Sequence, residues 1–91
     1  MSPLELDDAA YRHGFDKEQA IYLIDHALGR RVLNSEPGSV TIAFAGHPHE
    51  GSTRRLELIA RLTPARREVW VFHFFDLTDN FRDLWPDSEE R

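Results

Sequence analysis

Glu68-Val69-Trp70-Val71-Phe72-His73-Phe74-Phe75 is the stretch whose reading decides the fold. Successive side chains of a strand point to opposite faces, so Val69, Val71, His73 and Phe75 share one face while Trp70, Phe72 and Phe74 share the other. Both faces are apolar, which is the pattern of a central strand covered on two sides. Its second face therefore needs a cover, supplied by a final helix or by a partner protein.

Working back from this run, Thr63-Pro64-Ala65-Arg66-Arg67 is short enough to close a hairpin onto the segment before it. There Leu56, Leu58, Ala60 and Leu62 alternate with Arg55, Glu57, Ile59 and Arg61, the pattern of a half-solvated strand. Gly46 to Ser52 reads as a polar loop, and Val40, Ile42 and Phe44 alternate with smaller residues as a further strand. Arg31 to Asn34 reads as a short strand ended by the turn composition Ser35-Glu36-Pro37-Gly38.

Helix signals stand at both ends. Ser2, Pro3 and Glu5 form an N-terminal helix signature, followed by Leu6, Ala9, Ala10 and His13 at helical spacing and by Gly14 as a stop. Asp16 and Gln19 can cap a second helix with Ala20, Ile21, Ile24, Ala27 and Leu28 as its buried stripe, and Gly29 stops it. Thr78 is placed to cap a last helix carrying Phe81, Leu84 and Trp85 on one side before Pro86, and 87–91 reads as a frayed tail. The expected fold class is α+β: two N-terminal helices, an antiparallel β-meander of three to four strands and a C-terminal helix. The 91 residues form one domain, 1–91.

Hydrophobic residues make up 41% and charged residues 30% of the chain, the balance of a folded globular protein. The absence of cysteine excludes a disulfide framework and a thiol nucleophile. With no signal-peptide pattern at 1–8 and no membrane-length apolar run, the chain reads as cytoplasmic and not membrane-bound. The net charge of −5 argues against a dedicated nucleic-acid binder, yet it conceals a division. Residues 1–29 carry two basic and six acidic side chains, 30–67 seven and three, and 68–91 two and seven. Phosphate binding is plausible only in the basic middle.

Several side chains of the middle and of the strand after it suggest chemistry. His73, inside the apolar strand, has the residue type of a proton-transfer group, although a hydrogen-bonded core histidine is the plainer account. Arg55 and Arg61 share strand parity and hence a face; with Arg54, Arg66 and Arg67 they can hold an RNA backbone, or they can be charges on an ordinary solvated strand. Glu57 interrupts this row. His47, His49 and Glu50 have metal-ligand chemistry, but a Pro- and Gly-containing loop without a fourth ligand reads as solvated, so no metal and no cofactor are expected. Trp70, Phe72, Phe74, Phe81 and Trp85 give more large apolar surface than the sheet needs, which marks a surface for a small protein partner or a second copy.

The order helix, helix, strand meander, with Arg12-His13-Gly14 leading into Asp16-Lys17-Glu18-Gln19-Ala20, resembles BrnT-like toxins of the RelE-like ribonuclease group found in bacterial type II toxin–antitoxin pairs. Arg55-Leu56-Glu57-Leu58, Val71-Phe72-His73-Phe74 and Phe81 to Trp85 match further elements, and the resemblance covers roughly residues 9–85. It implies a toxin-like domain, a metal-independent endoribonuclease neutralised by a small antitoxin, with His73, Arg55 and Arg61 as catalytic residues. One departure bears on activity. The family usually places arginines just after the last long strand, where this sequence has Asp76, Leu77, Thr78 and Asp79, and carboxylates there oppose stabilisation of phosphate charge. A non-catalytic binding module on the same fold, acting through acidic helices and the aromatic surface, is the alternative.

Overall fold

The computed structural model describes residues 4–8, 11 and 13–86. Their core is a five-stranded sheet of β1 (Leu4–Leu6), β2 (Gly29–Glu36), β3 (Ser39–Gly46), β4 (Leu56–Thr63) and β5 (Glu68–Asp76). The strand order is β1-β5-β4-β3-β2. β2 to β5 form an antiparallel meander, and β1 adds in parallel to β5 through Leu4↔Val69 and Leu6↔Val71. The sheet is thus mixed.

This corrects the expected two N-terminal helices, meander of three to four strands and C-terminal helix in three places. First, Leu4 to Leu6 is a strand rather than helix. Leu4 and Leu6 are buried while Glu5 between them is exposed, a period of two too short to stand out against the helical spacing that follows it. Ser2, Pro3, Ala9, Ala10 and Arg12, on which that helix and part of the toxin-like motif rested, lie outside the described residues, as does the tail 87–91. Second, the strand expected at 31–34 runs from Gly29 to Glu36, and its turn contracts to Pro37-Gly38, with Gly38 at φ 88°. Third, no helix follows Thr78 in the described residues, only a 3₁₀ turn at Arg82–Leu84. The reason is a long-range competitor. Thr78, the expected cap, donates both its N–H and its hydroxyl to Glu57.

The continuous α-helix of the described residues is α1 (Lys17–Asp25). Asp16 accepts from the Gln19 N–H at 2.9 Å and Gln19 accepts from the Asp16 N–H at 3.0 Å, so two otherwise orphaned amides are satisfied reciprocally. Replacing Asp16 by alanine is expected to cost about 1 kcal/mol, read as a lowered urea midpoint with unchanged slope. α1 buries Ala20 and Leu23 rather than Ile21, which stays partly exposed, and it ends at Asp25 before Gly29 is reached.

The two faces of the sheet are covered differently. Ala20, Leu23 and Phe15 close one face with Leu4, Leu6, Phe44, Leu56, Leu58, Ala60, Val71 and Phe74 as a single apolar cluster. A β-bulge at Phe72 shifts the register, so that Ala60 pairs with Val71 but Ile59 with His73. The shift reverses the alternation expected for β5: Phe74 turns into the core, stacked on Phe15 at 4.2 Å, and His73 turns to the opposite face. Part of that second face is covered by the segment 77–86, which leaves β5 through a Leu77 N–H bond to the Arg55 carbonyl. It reaches β2, where Leu84 packs on Gly29 and Asp83 pairs with Arg31. Among the described residues no helix is long and apolar enough to cross a membrane.

Candidate functional site

β4 carries Glu57 on the second face, between Ala45 of β3 and Phe75 of β5. Ala45 is fully buried and the segment from Leu77 onward folds over this point, so Glu57 is only 2% exposed. A buried carboxylate is costly unless its oxygens are hydrogen-bonded. Here they are. One oxygen accepts from the Thr78 N–H and from the Thr78 hydroxyl, each at 2.6 Å, and the other lies 2.6 Å from His73 Nε2.

The geometry fixes the imidazole. A carboxylate can only accept, so His73 Nε2 carries the hydrogen, and in the neutral ring Nδ1 is then the basic nitrogen. Nδ1 makes no hydrogen bond to a described residue, and the side chain is 39% exposed. The arrangement has the geometry a general base needs, an imidazole oriented by a buried acid on an open sheet face.

Of the arginines, Arg61 stands on the same face two residues along β4 from Ile59, the residue opposite His73. It has no ion-pair partner among the described residues. Arg55, in the turn before β4, lies over the Trp85 ring at 5.3 Å and lines a cavity of about 200 Å³ with Asp76, Thr78 and Arg82. Arg54 is paired to Asp76 at 2.9 Å, and this hydrogen bond to a carboxylate holds its guanidinium pKa above the ordinary value. Arg66 pairs with Glu68 at 3.5 Å, and Arg67 occupies a left-handed turn position after Pro64–Arg66. The arginine row is therefore split: Arg61 shares the sheet face of the histidine, opposite Trp70, while Arg54 and Arg66 hold acids. Asp76 is correspondingly neutralised by Arg54, and Asp79 is solvated with Arg82 at 3.7 Å.

The aromatic residues do not form one surface. Trp70 and Phe72 lie together, ring centroids 5.4 Å apart, with Trp70 exposed. Phe74 is in the core, Phe81 is half-buried, and Trp85 is buried edge-on to His47. In the loop, His47 Nδ1 donates to the Arg54 carbonyl and His49 Nδ1 to the Glu50 carbonyl. Among the described residues no three His, Asp or Glu side chains gather as a metal site.

Glu57 is the residue that sequence reasoning missed as a site member. Counting back from the Thr63↔Glu68 end of the hairpin without a bulge places Leu58, not Glu57, nearest His73. Adding one bulged residue brings acid and imidazole to one face.

No family model matches the chain, and no curated protein or solved structure matches it either.

Proposed function

We propose that the chain is a toxin-like domain of a bacterial toxin–antitoxin pair, an endoribonuclease that needs no metal and is neutralised by a small protein partner. The observation that carries this reading is the Glu57–His73 pair. In the reaction His73 Nδ1 takes the proton of a ribose 2′-hydroxyl. The 2′-oxygen attacks the adjacent phosphorus, the O2′–P bond forms, and the P–O5′ bond breaks. The departing 5′-oxygen takes its proton from water, leaving a 2′,3′-cyclic phosphate. Arg61, on the same face, stabilises the charge that gathers on the phosphate oxygens.

A second reading, a non-catalytic protein-binding module, is favoured by the pairing of Arg54 and Arg66 with acids, which leaves less charge for RNA than the sequence suggests. Expression of the chain alone in a bacterial host separates the two. The nuclease reading expects growth arrest with RNA fragmentation, and cleavage by the purified protein that survives EDTA. His73→Ala is expected to slow cleavage by at least about 100-fold, the usual worth of a positioned base. Intact RNA in the presence of folded, soluble wild-type protein would overturn the nuclease and favour the module.

A further inference from the structure

Beside the His73 face lies a groove of about 460 Å³, bounded by the end of the β4–β5 hairpin and by β1, with Trp70, Arg61, Arg66, Glu68 and Glu5 in its lining. Its volume is that of a site for one small ligand. Trp70 is 43% exposed, although large aromatic side chains are usually well covered, and Phe72 leans on it at 43° between ring planes. The indole is thereby braced from one side and open on another, ready to stack on a flat ring. The charges are not balanced evenly. Glu5 is engaged by Lys17 at 3.7 Å and Glu68 by Arg66 at 3.5 Å, whereas Arg61, directly across the strand pair from Trp70, is paired with no described residue. An exposed indole next to an uncommitted guanidinium matches a base next to its phosphate.

We propose that this groove is a nucleotide subsite, in which Trp70 stacks one base of single-stranded RNA and Arg61 pairs with the adjoining phosphate. The proposal rests on the ribonuclease reading for its place beside the scissile bond, since Trp70 and His73 stand opposite Arg61 and Ile59, two residues apart on β4, about 7 Å. The base is read through its π-face, so the subsite tolerates any of the four.

The test is fluorescence anisotropy of a labelled 2′-O-methyl RNA heptamer, which lacks the attacking hydroxyl and stays intact. Wild type and His73→Ala are expected to bind alike. Trp70→Ala should weaken binding about tenfold, the scale of one stacked base, and Trp70→Phe should recover most of it. Arg61→Gln should flatten the logarithmic salt dependence by about 0.7, one phosphate's worth for a single strand. Far-ultraviolet spectra check that each variant is folded. Unchanged affinity in Trp70→Ala, or no binding of the heptamer by wild type, would overturn the subsite. Equal affinity for free uridine monophosphate would overturn the assignment to an RNA strand. Failure of the two readings is distinguishable: heptamer binding without cleavage of natural RNA removes the nuclease and keeps the subsite, and cleavage unaffected by Trp70→Ala does the reverse.

Discussion

If the chain is the ribonuclease proposed above, Glu57→Ala is expected to remove RNA cleavage and roughly 3 kcal/mol of stability in one step, because the same carboxylate contacts His73 and holds the C-terminal segment. At 2% exposure it has no solvent to replace what it accepts. Its loss leaves the Thr78 N–H and hydroxyl without their acceptor and opens a void beside Ala45 and Phe75. For a domain of this size the total stability is of order 5 to 10 kcal/mol, so a third or more would go. Urea denaturation measures it directly. Because an unfolded variant would lose activity trivially, the informative partner is Glu57→Gln. Its amide oxygen can still accept from Thr78, and the expected stability loss is only about 1 kcal/mol. The amide nitrogen, however, presents hydrogens to His73 Nε2, which favours the other tautomer and places the hydrogen on Nδ1. Cleavage by Glu57→Gln should therefore fall through kcat, with KM nearly unchanged. A wild-type kcat in this variant would show that the carboxylate is only a structural partner of Thr78.

The boundary between what the sequence made legible and what it did not follows the range of the interactions. The Asp16–Gln19 capping box is formed within four residues, and the alternation of Leu56, Leu58, Ala60 and Leu62 needs no knowledge of the rest of the chain. Leu4-Glu5-Leu6 could not be read this way. A three-residue strand carries too little period to compete with a helix signature, and it exists only because β5 offers it an edge near the far end of the chain. Thr78 is the same lesson in polar form: a good local cap was claimed by a carboxylate on β4. The bulge at Phe72 has the widest consequence, since one extra residue decides which side of the sheet receives His73. The histidine was visible as a candidate by type and setting. Its acid was not, because Glu57 among arginines has the look of a surface residue until segment 77–86 is laid over it.

That cover can be probed from its far end, and Gly29→Ala is expected to lift it. Gly29 lies on the face of β2 that receives Leu84, and a methyl group there would sit 2.0 Å from the Leu84 carbonyl oxygen and 2.9 Å from its carbon. Both are backbone atoms, so no rotamer change relieves the overlap; the segment must withdraw by more than about 1 Å to reach ordinary contact distance. What resists that withdrawal is the solvent-exposed Asp83–Arg31 pair and the packing of Trp85 against His47 and Arg55. Trp85, next in sequence, is 3% exposed, yet its Nε1 finds no partner among the described residues, and it is held by shape and by the Arg55 guanidinium over its ring. The expected cost is about 2 kcal/mol, in the range of overpacked sites. In a Trp70→Phe background Trp85 is the single tryptophan, and its fluorescence, excited selectively over tyrosine, should shift to the red and become quenchable by acrylamide. Gly38→Ala is the control: its positive φ makes alanine strained by about 1 kcal/mol, but open space surrounds the added methyl, and Trp85 should not respond. An unshifted Trp85 in folded Gly29→Ala protein would mean that the segment does not rest on β2. A shifted one should bring a partial loss of cleavage with it, because the strand of contacts that ends at Gly29 begins with Thr78 clamping Glu57.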